Sequence, residues 1–238
     1  MTVVTVDPVE CTADDLRAAA AWLRAGRVVA FPTDTFYGLA VDPTSAAAVR
    51  ALFALKGRSA DAALPLVAAS TAQVRRLGGV WSPAMSALAH AFWPGPLSLV
   101  CDAPAQFVAE VHAGRSTVAI RVPDHRVARA LAEACGGPVT ATSANRTGEP
   151  PASSADLLDD LASEPMVLLV DGGVTPGGLP STIVDARGAQ ATLVRAGAVA
   201  WARVLESLKG CASAGVFRTR RRAIGLRSAG LSPAALGR

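Results

Sequence analysis

Short apolar runs alternate with longer amphipathic stretches from the N-terminus to about residue 208, and that rhythm restricts the chain to strands separated by helices. TVVTV at the start alternates like a strand, and Thr12 with Asp15 three residues on has the form of a capping box for a helix over 13–25. RVVAFP is a buried strand ending at Pro32; a helix follows Pro43 and runs to Gly57. LPLVAA (64–69) reads as a strand and STAQVRRL as a short helix. Ser82 and Pro83 open a helix that ends near Trp93. PLSLVC (96–101), TVAIRVP (117–123) and PVTAT are strands, with a helix over 127–135 between the last two. SSADLLDDLAS is a capped helix, MVLLVDGG, STIVDAR and ATLVRAG are strands, and AVAWARVLESL is a closing helix. The expectation is an α/β protein with one twisted mixed sheet, a single domain over 1–210 and no internal repeat.

Composition bounds the function. The chain has 238 residues, 51% hydrophobic and 18% charged, which suits a folded domain and not a disordered one. No apolar run approaches the ~20 residues of a membrane span, and MTVVTVDPVECTADD has no basic and apolar leader pattern, so a cytoplasmic protein is expected. Cysteines at 11, 101, 135 and 211 form no CxxC pair, and His90, His112 and His125 form no HxxxH pair. Buried free thiols are therefore expected, not a zinc site or a disulfide framework. The net charge of +4 is unevenly placed: residues 211–238 carry six arginines and no acid, leaving 1–210 at −2. That segment reads as a basic, disordered tail rather than part of a basic binding face.

Polar residues gather at strand ends, where open α/β sheets bind ligands. Thr33, Asp34 and Thr35 follow VVAF and could orient a polar substrate or simply form a hydroxyl-capped turn. Lys56-Gly57-Arg58 closes a helix; the cations fit either the helix dipole or a phosphate clamp, and no GxxxxGK[ST] loop accompanies them. Arg121 sits among apolar and β-branched residues, so it must pair internally or grip a ligand carboxylate. Ser143-Ala144-Asn145 offers hydroxyl, amide and backbone donors after a strand. WPGP (93–96) and DGG (171–173) read as turns, and Ser181 and Arg195 lie at strand ends.

Taken in order, PTDTFYGL (32–39), KGR, FWPGPLS (92–98), TVAIRVPDH (117–125), SAN, DGG, STIVD (181–185) and VRAG (194–197) resemble the YrdC-like family of threonylcarbamoyl-AMP synthases, over about 15–205. The resemblance implies a single α/β domain around a large concave cleft. It implies synthesis of threonylcarbamoyl-adenylate and pyrophosphate from L-threonine, bicarbonate and ATP, serving adenosine 37 of tRNA, with a tRNA-modifying transferase complex as partner. By the same resemblance Lys56, Arg58, Ser143 and Asn145 carry the chemistry; with Thr117, Pro151 and Arg195 they hold ATP. Thr35, Arg121, the backbone at Ala141 and Ser181 hold threonine. Mg²⁺ is expected only as carried by ATP phosphates. Departures from the family pattern are Ser59 and Ala63 for frequent prolines, Val67 for a frequent histidine, Ser98 for Thr and Ala196 for Pro. The competing expectation is a non-catalytic module of the same fold that binds double-stranded RNA.

Overall fold

The computed structural model describes residues 2–59 and 61–209. Its strands divide between two mixed sheets, where one had been expected. The first holds β1 (Thr2–Thr5), β2 (Val28–Phe31), β3 (Gly38–Ala40), β8 (Thr142–Ser143) and β9 (Val167–Asp171) in the order β1-β9-β2-β3-β8. The second holds β4 (Leu66–Val67), β5 (Leu97–Asp102), β6 (Thr117–Arg121), β7 (Val139–Thr140), β10 (Thr182–Asp185) and β11 (Thr192–Arg195) in the order β11-β10-β5-β6-β4-β7. Parallel pairs (β1–β9, β9–β2, β10–β5, β4–β6) mix with antiparallel ones, including β2–β3, β3–β8 and β5–β6.

Side-chain alternation explains why β2, and β9 up to its last residue Asp171, are apolar. Val28 and Ala30 of β2, with Val167 and Leu169 of β9, face the larger core, which also takes Leu52 and Phe53 of α2 (Ala46–Lys56) and Met85 and Leu88 of α4 (Pro83–Phe92). Val29, Phe31, Leu168 and Val170 face the opposite way, into a second core under α1 (Arg17–Arg24) and α6 (Arg126–Ala134). A strand buried on both faces must be apolar at every position. The predicted start of α4 is present in detail: Ser82 Oγ accepts from the Met85 N–H at 3.0 Å with Pro83 in the first turn.

Three local readings need correction. Thr12 does pair with Asp15, through both its N–H and its hydroxyl, but this closes a turn and α1 begins only at Arg17. The segment expected as one capped helix over 153–163 is a 3₁₀ turn (Ala155–Leu158) followed by α7 (Asp159–Ala162), and Ser154 makes no side-chain cap. PVTAT is not one strand: β7 lies in the second sheet and β8 in the first, with Ala141 between them donating its N–H to Pro65 O at 2.8 Å. The short helix expected in STAQVRRL is α3 (Thr71–Arg75); β3 and the short α5 (Ala109–His112) were not foreseen, and α8 (Trp201–Ser207) closes the described chain. Cys11 and Cys101 are buried and Cys135 is half-buried, all free thiols; the fourth cysteine and the basic tail lie outside the described residues. Among the described residues no helix is long and apolar enough to cross a membrane.

Candidate active site

The crossing of the chain from β7 to β8 leaves a crevice between the sheets, and a cavity of about 400 Å³ occupies it. The residues expected for threonine, Thr35, Arg121, Ala141 and Ser181, all line it. Of those expected for the nucleotide, Arg58, Thr117, Ser143 and Arg195 line it, whereas Lys56, Asn145 and Pro151 do not. The cavity wall carries four arginines, including Arg115, and no carboxylate.

Arg121 ends β6 with only 7% of its surface exposed. Its Nη1 is ion-paired with Asp34, and its Nη2 donates to Thr33 Oγ1 at 3.2 Å and Thr35 Oγ1 at 3.4 Å. The second Asp34 oxygen accepts the Asp124 N–H at 3.1 Å, so the carboxylate is held from both sides. Burial pulls the Arg121 pKa down, and the Asp34 charge works against that pull. The internal pair and the cavity-facing position thus coexist. Asp34 was legible only as a turn residue; its partner lies 87 positions away, and no local pattern links them.

Arg58 follows Gly57, whose φ of 61° lets α2 end in a left-handed turn and swing the arginine toward the cavity. Nη1 donates to Thr142 Oγ1 at 2.8 Å and Nη2 to Ala63 O at 3.0 Å, while the buried Nε has no acceptor among the described residues. An unmatched donor beside a cavity favours an incoming acceptor. Arg58 thus does more than close a helix: it ties the end of α2 to Thr142 and Ala63.

Lys56, 4% exposed, turns to the loop rather than the cavity. Its ammonium donates to Ser143 O at 2.5 Å, Asn145 O at 2.6 Å and Asn145 Oδ1 at 3.2 Å. Asn145 Oδ1 also accepts from Ser143 Oγ at 2.5 Å, and the Ala144 N–H is donated to Tyr37 O at 2.8 Å. Lys56 and Asn145 fix the shape of the loop that presents Ser143. Burial, then the neighbouring Arg58 charge, brings the Lys56 pKa down to about 8 from an ordinary 10.5. As pH rises through about 8 the folded protein loses this charge and a neutral amine cannot serve three acceptors. Activity should fall on an alkaline limb near pH 8. Over the same range, up to 10.5, the unfolded chain retains the proton, so this group makes the native state relatively more stable. Initial rates and melting curves measured across pH 7–10 check this: a rate loss that tracks loss of the fold contradicts it.

Arg195 joins the two sides. Its Nη2 donates to Ser181 O at 2.7 Å and Ser181 Oγ at 3.0 Å, and Ser98 Oγ lies 3.0 Å from the same hydroxyl. Gly197 permits this: a Cβ there would collide with the backbone of Pro180 and Ser181. Tyr37 ties the opposite rim, its hydroxyl donating to Gly173 O at 2.7 Å, while the Gly177 N–H is donated to Thr35 O at 2.7 Å.

Residues 21–197 match the Sua5/YciO/YrdC family, described as "Telomere recombination". Over 165 residues the chain is 39% identical to threonylcarbamoyl-AMP synthase of Thiobacillus denitrificans, covering 69% of this chain and 87% of that protein. Threonylcarbamoyl-AMP synthase of Pyrococcus abyssi is 38% identical over 171 residues, which are 71% of this chain and 50% of the relative. The crystal structure of P. abyssi Sua5 complexed with L-threonine superposes with a TM-score of 0.81 at 32% identity, covering 92% of this chain and 63% of that one.

Proposed function

The chain belongs to the Sua5/YciO/YrdC family, and we infer from that membership and from the cavity that it is a threonylcarbamoyl-AMP synthase, a transferase for tRNA threonylcarbamoyladenosine synthesis. The observation that carries this reading is that all four residues expected for threonine share one crevice with Arg58, Thr117, Ser143 and Arg195 of those expected for the nucleotide, with guanidiniums and hydroxyls on its wall and no carboxylate.

The threonine amine nitrogen forms a bond to the carbon of CO₂ with loss of a proton, or to that of bicarbonate with loss of water, and becomes a carbamate. A carbamate oxygen then forms a bond to the α-phosphorus of ATP, and the bond to the bridging oxygen breaks, its electron pair leaving with pyrophosphate. No covalent enzyme intermediate is required, so positioning and charge stabilisation carry the rate. Arg121 takes the threonine carboxylate on the edge not engaged by Asp34. Thr35 and Ser181 supply hydroxyls, and Ala141, whose N–H is committed to Pro65, contributes its carbonyl. Arg58 presents its charge to the polyphosphate, and Thr117, Ser143 and Arg195 line the nucleotide side. Lys56 and Asn145 act through the Ser143 loop. Pro151 stands outside the cavity wall and would reach nucleotide only at its margin. Mg²⁺ would arrive on ATP with phosphate and water oxygens as ligands, because the wall offers no carboxylate to hold it.

ATP, L-threonine and bicarbonate are the proposed substrates, in the cytoplasm, with tRNA and a threonylcarbamoyl-transferring enzyme as downstream partners. The P. abyssi Sua5 complex with L-threonine supports the amino-acid part of this assignment. The test is pyrophosphate release by the purified protein. Release that needs both threonine and bicarbonate supports the reading; a non-catalytic RNA-binding module would give none.

A further inference from the structure

Three of the four arginines on the cavity wall are occupied by the protein itself: Arg58 by Thr142 and Ala63, Arg121 by Asp34, and Arg195 by Ser181. Arg115 is different. It is exposed, it lines the same cavity, and its guanidinium has no hydrogen-bond or ion-pair partner among the described residues. Its backbone is nevertheless well placed. Ala113 and Gly114, at φ 51° and 68°, turn the chain from α5 into β6, and the Arg115 N–H is donated to His112 O at 3.0 Å. Arg115, two residues ahead of β6, and Thr117, Ala119 and Arg121 within it are alternate residues, and all four line the cavity, with Val118 also on its wall. Arg115 and Arg121 therefore stand at opposite ends of one row, at most about 20 Å apart at ~3.3 Å per residue.

We propose that Arg115 is a further binding residue for the reaction, one that engages the β- and γ-phosphates of ATP and the pyrophosphate they become. This rests on the adenylate-forming reading above. Attacking and leaving oxygens lie roughly in line in phosphoryl transfer. With the amino acid anchored at Arg121, the carbamate attacks from that end, and pyrophosphate departs from the opposite side of the α-phosphorus, toward Arg115. Negative charge grows on the bridging oxygen as the bond breaks, and a guanidinium without a protein acceptor can meet it bidentately. Its exposure further lets it accompany the product outward. None of the motif residues pointed to Arg115, which lies just ahead of TVAIRVP with only Ser116 between.

Titration calorimetry of the full chain with magnesium pyrophosphate and, separately, with AMP tests this, comparing wild type with Arg115→Ala and Arg115→Lys. Pyrophosphate affinity should fall about tenfold in Arg115→Ala, the low end for a hydrogen bond to a charged group because the site is exposed, and less in Arg115→Lys. AMP and threonine affinities should stay within about twofold. The KM for ATP should rise while that for threonine holds. Unchanged pyrophosphate binding overturns the proposal, and so does an equal loss of AMP binding, which would place Arg115 on the nucleoside. Wild-type protein that binds pyrophosphate but makes no adenylate would refute the adenylate-forming reading while leaving the pyrophosphate comparison interpretable.

Discussion

Arg121→Lys should weaken threonine binding roughly 10–150-fold while ATP-analogue binding changes little. Hydrogen bonds to charged groups contribute about 1.5–3 kcal/mol, and an ammonium cannot reproduce the paired bonds of a guanidinium. Lysine is the informative replacement because it can still neutralise Asp34, whose side chain is only 8% exposed. Arg121→Ala leaves that carboxylate buried without its cation, a loss of about 3–5 kcal/mol in stability, and should melt at a visibly lower temperature. Calorimetric titrations of Arg121→Lys with threonine and with a non-hydrolysable ATP analogue distinguish the two parts Arg121 could play. Equal losses for both ligands would make it only an internal ion-pair partner. No loss for either would remove the substrate carboxylate from this end of β6.

Arg58→Ala should lower the rate of pyrophosphate formation by about 10²–10³, the size of effect seen when one donor to developing transition-state charge is removed. Stability should fall too. The side chain bridges Thr142 Oγ1 and Ala63 O, and losing two such bonds costs about 1–3 kcal/mol. Activity must therefore be measured well below the variant's melting transition. Arg58→Lys, which retains charge but loses the fork and Nε, should recover stability better than rate. A rate within a few-fold of wild type in the folded Arg58→Ala protein would contradict the phosphate role.

Strong local signals determined which elements could be foreseen. Ser82-Pro83 set the start of α4 through a cap within the segment itself, and the unbroken apolar run of β2 needed burial on both faces. Elements defined by distant partners were not foreseeable in this way. β3 overlaps the end of the PTDTFYGL motif and exists because it pairs with β2 and β8. Val139 and Thr140 pair with β4 whereas Thr142 and Ser143 pair with β3, so a continuous strand pattern was divided between sheets by contacts far away in sequence. The site followed the same logic. The resemblance of the ordered motifs named Thr35, Arg58, Arg121, Ser143, Ser181 and Arg195, which converge on the cavity. They could not show that Lys56 faces a loop instead of the cavity, since three carbonyl-type oxygens brought round by the β7–β8 crossing decide where its ammonium goes. Asp34 and Arg115 also escaped, one because its partner is remote and the other because its guanidinium has none among the described residues.

The most direct measurement is mass spectrometry of the product formed from ATP, ¹⁵N-threonine and ¹³C-bicarbonate. The account predicts one adenylate carrying both labels, released together with pyrophosphate and absent when either labelled substrate is withheld. An adenylate lacking the ¹³C label, or ATP turnover that proceeds without threonine, would contradict it.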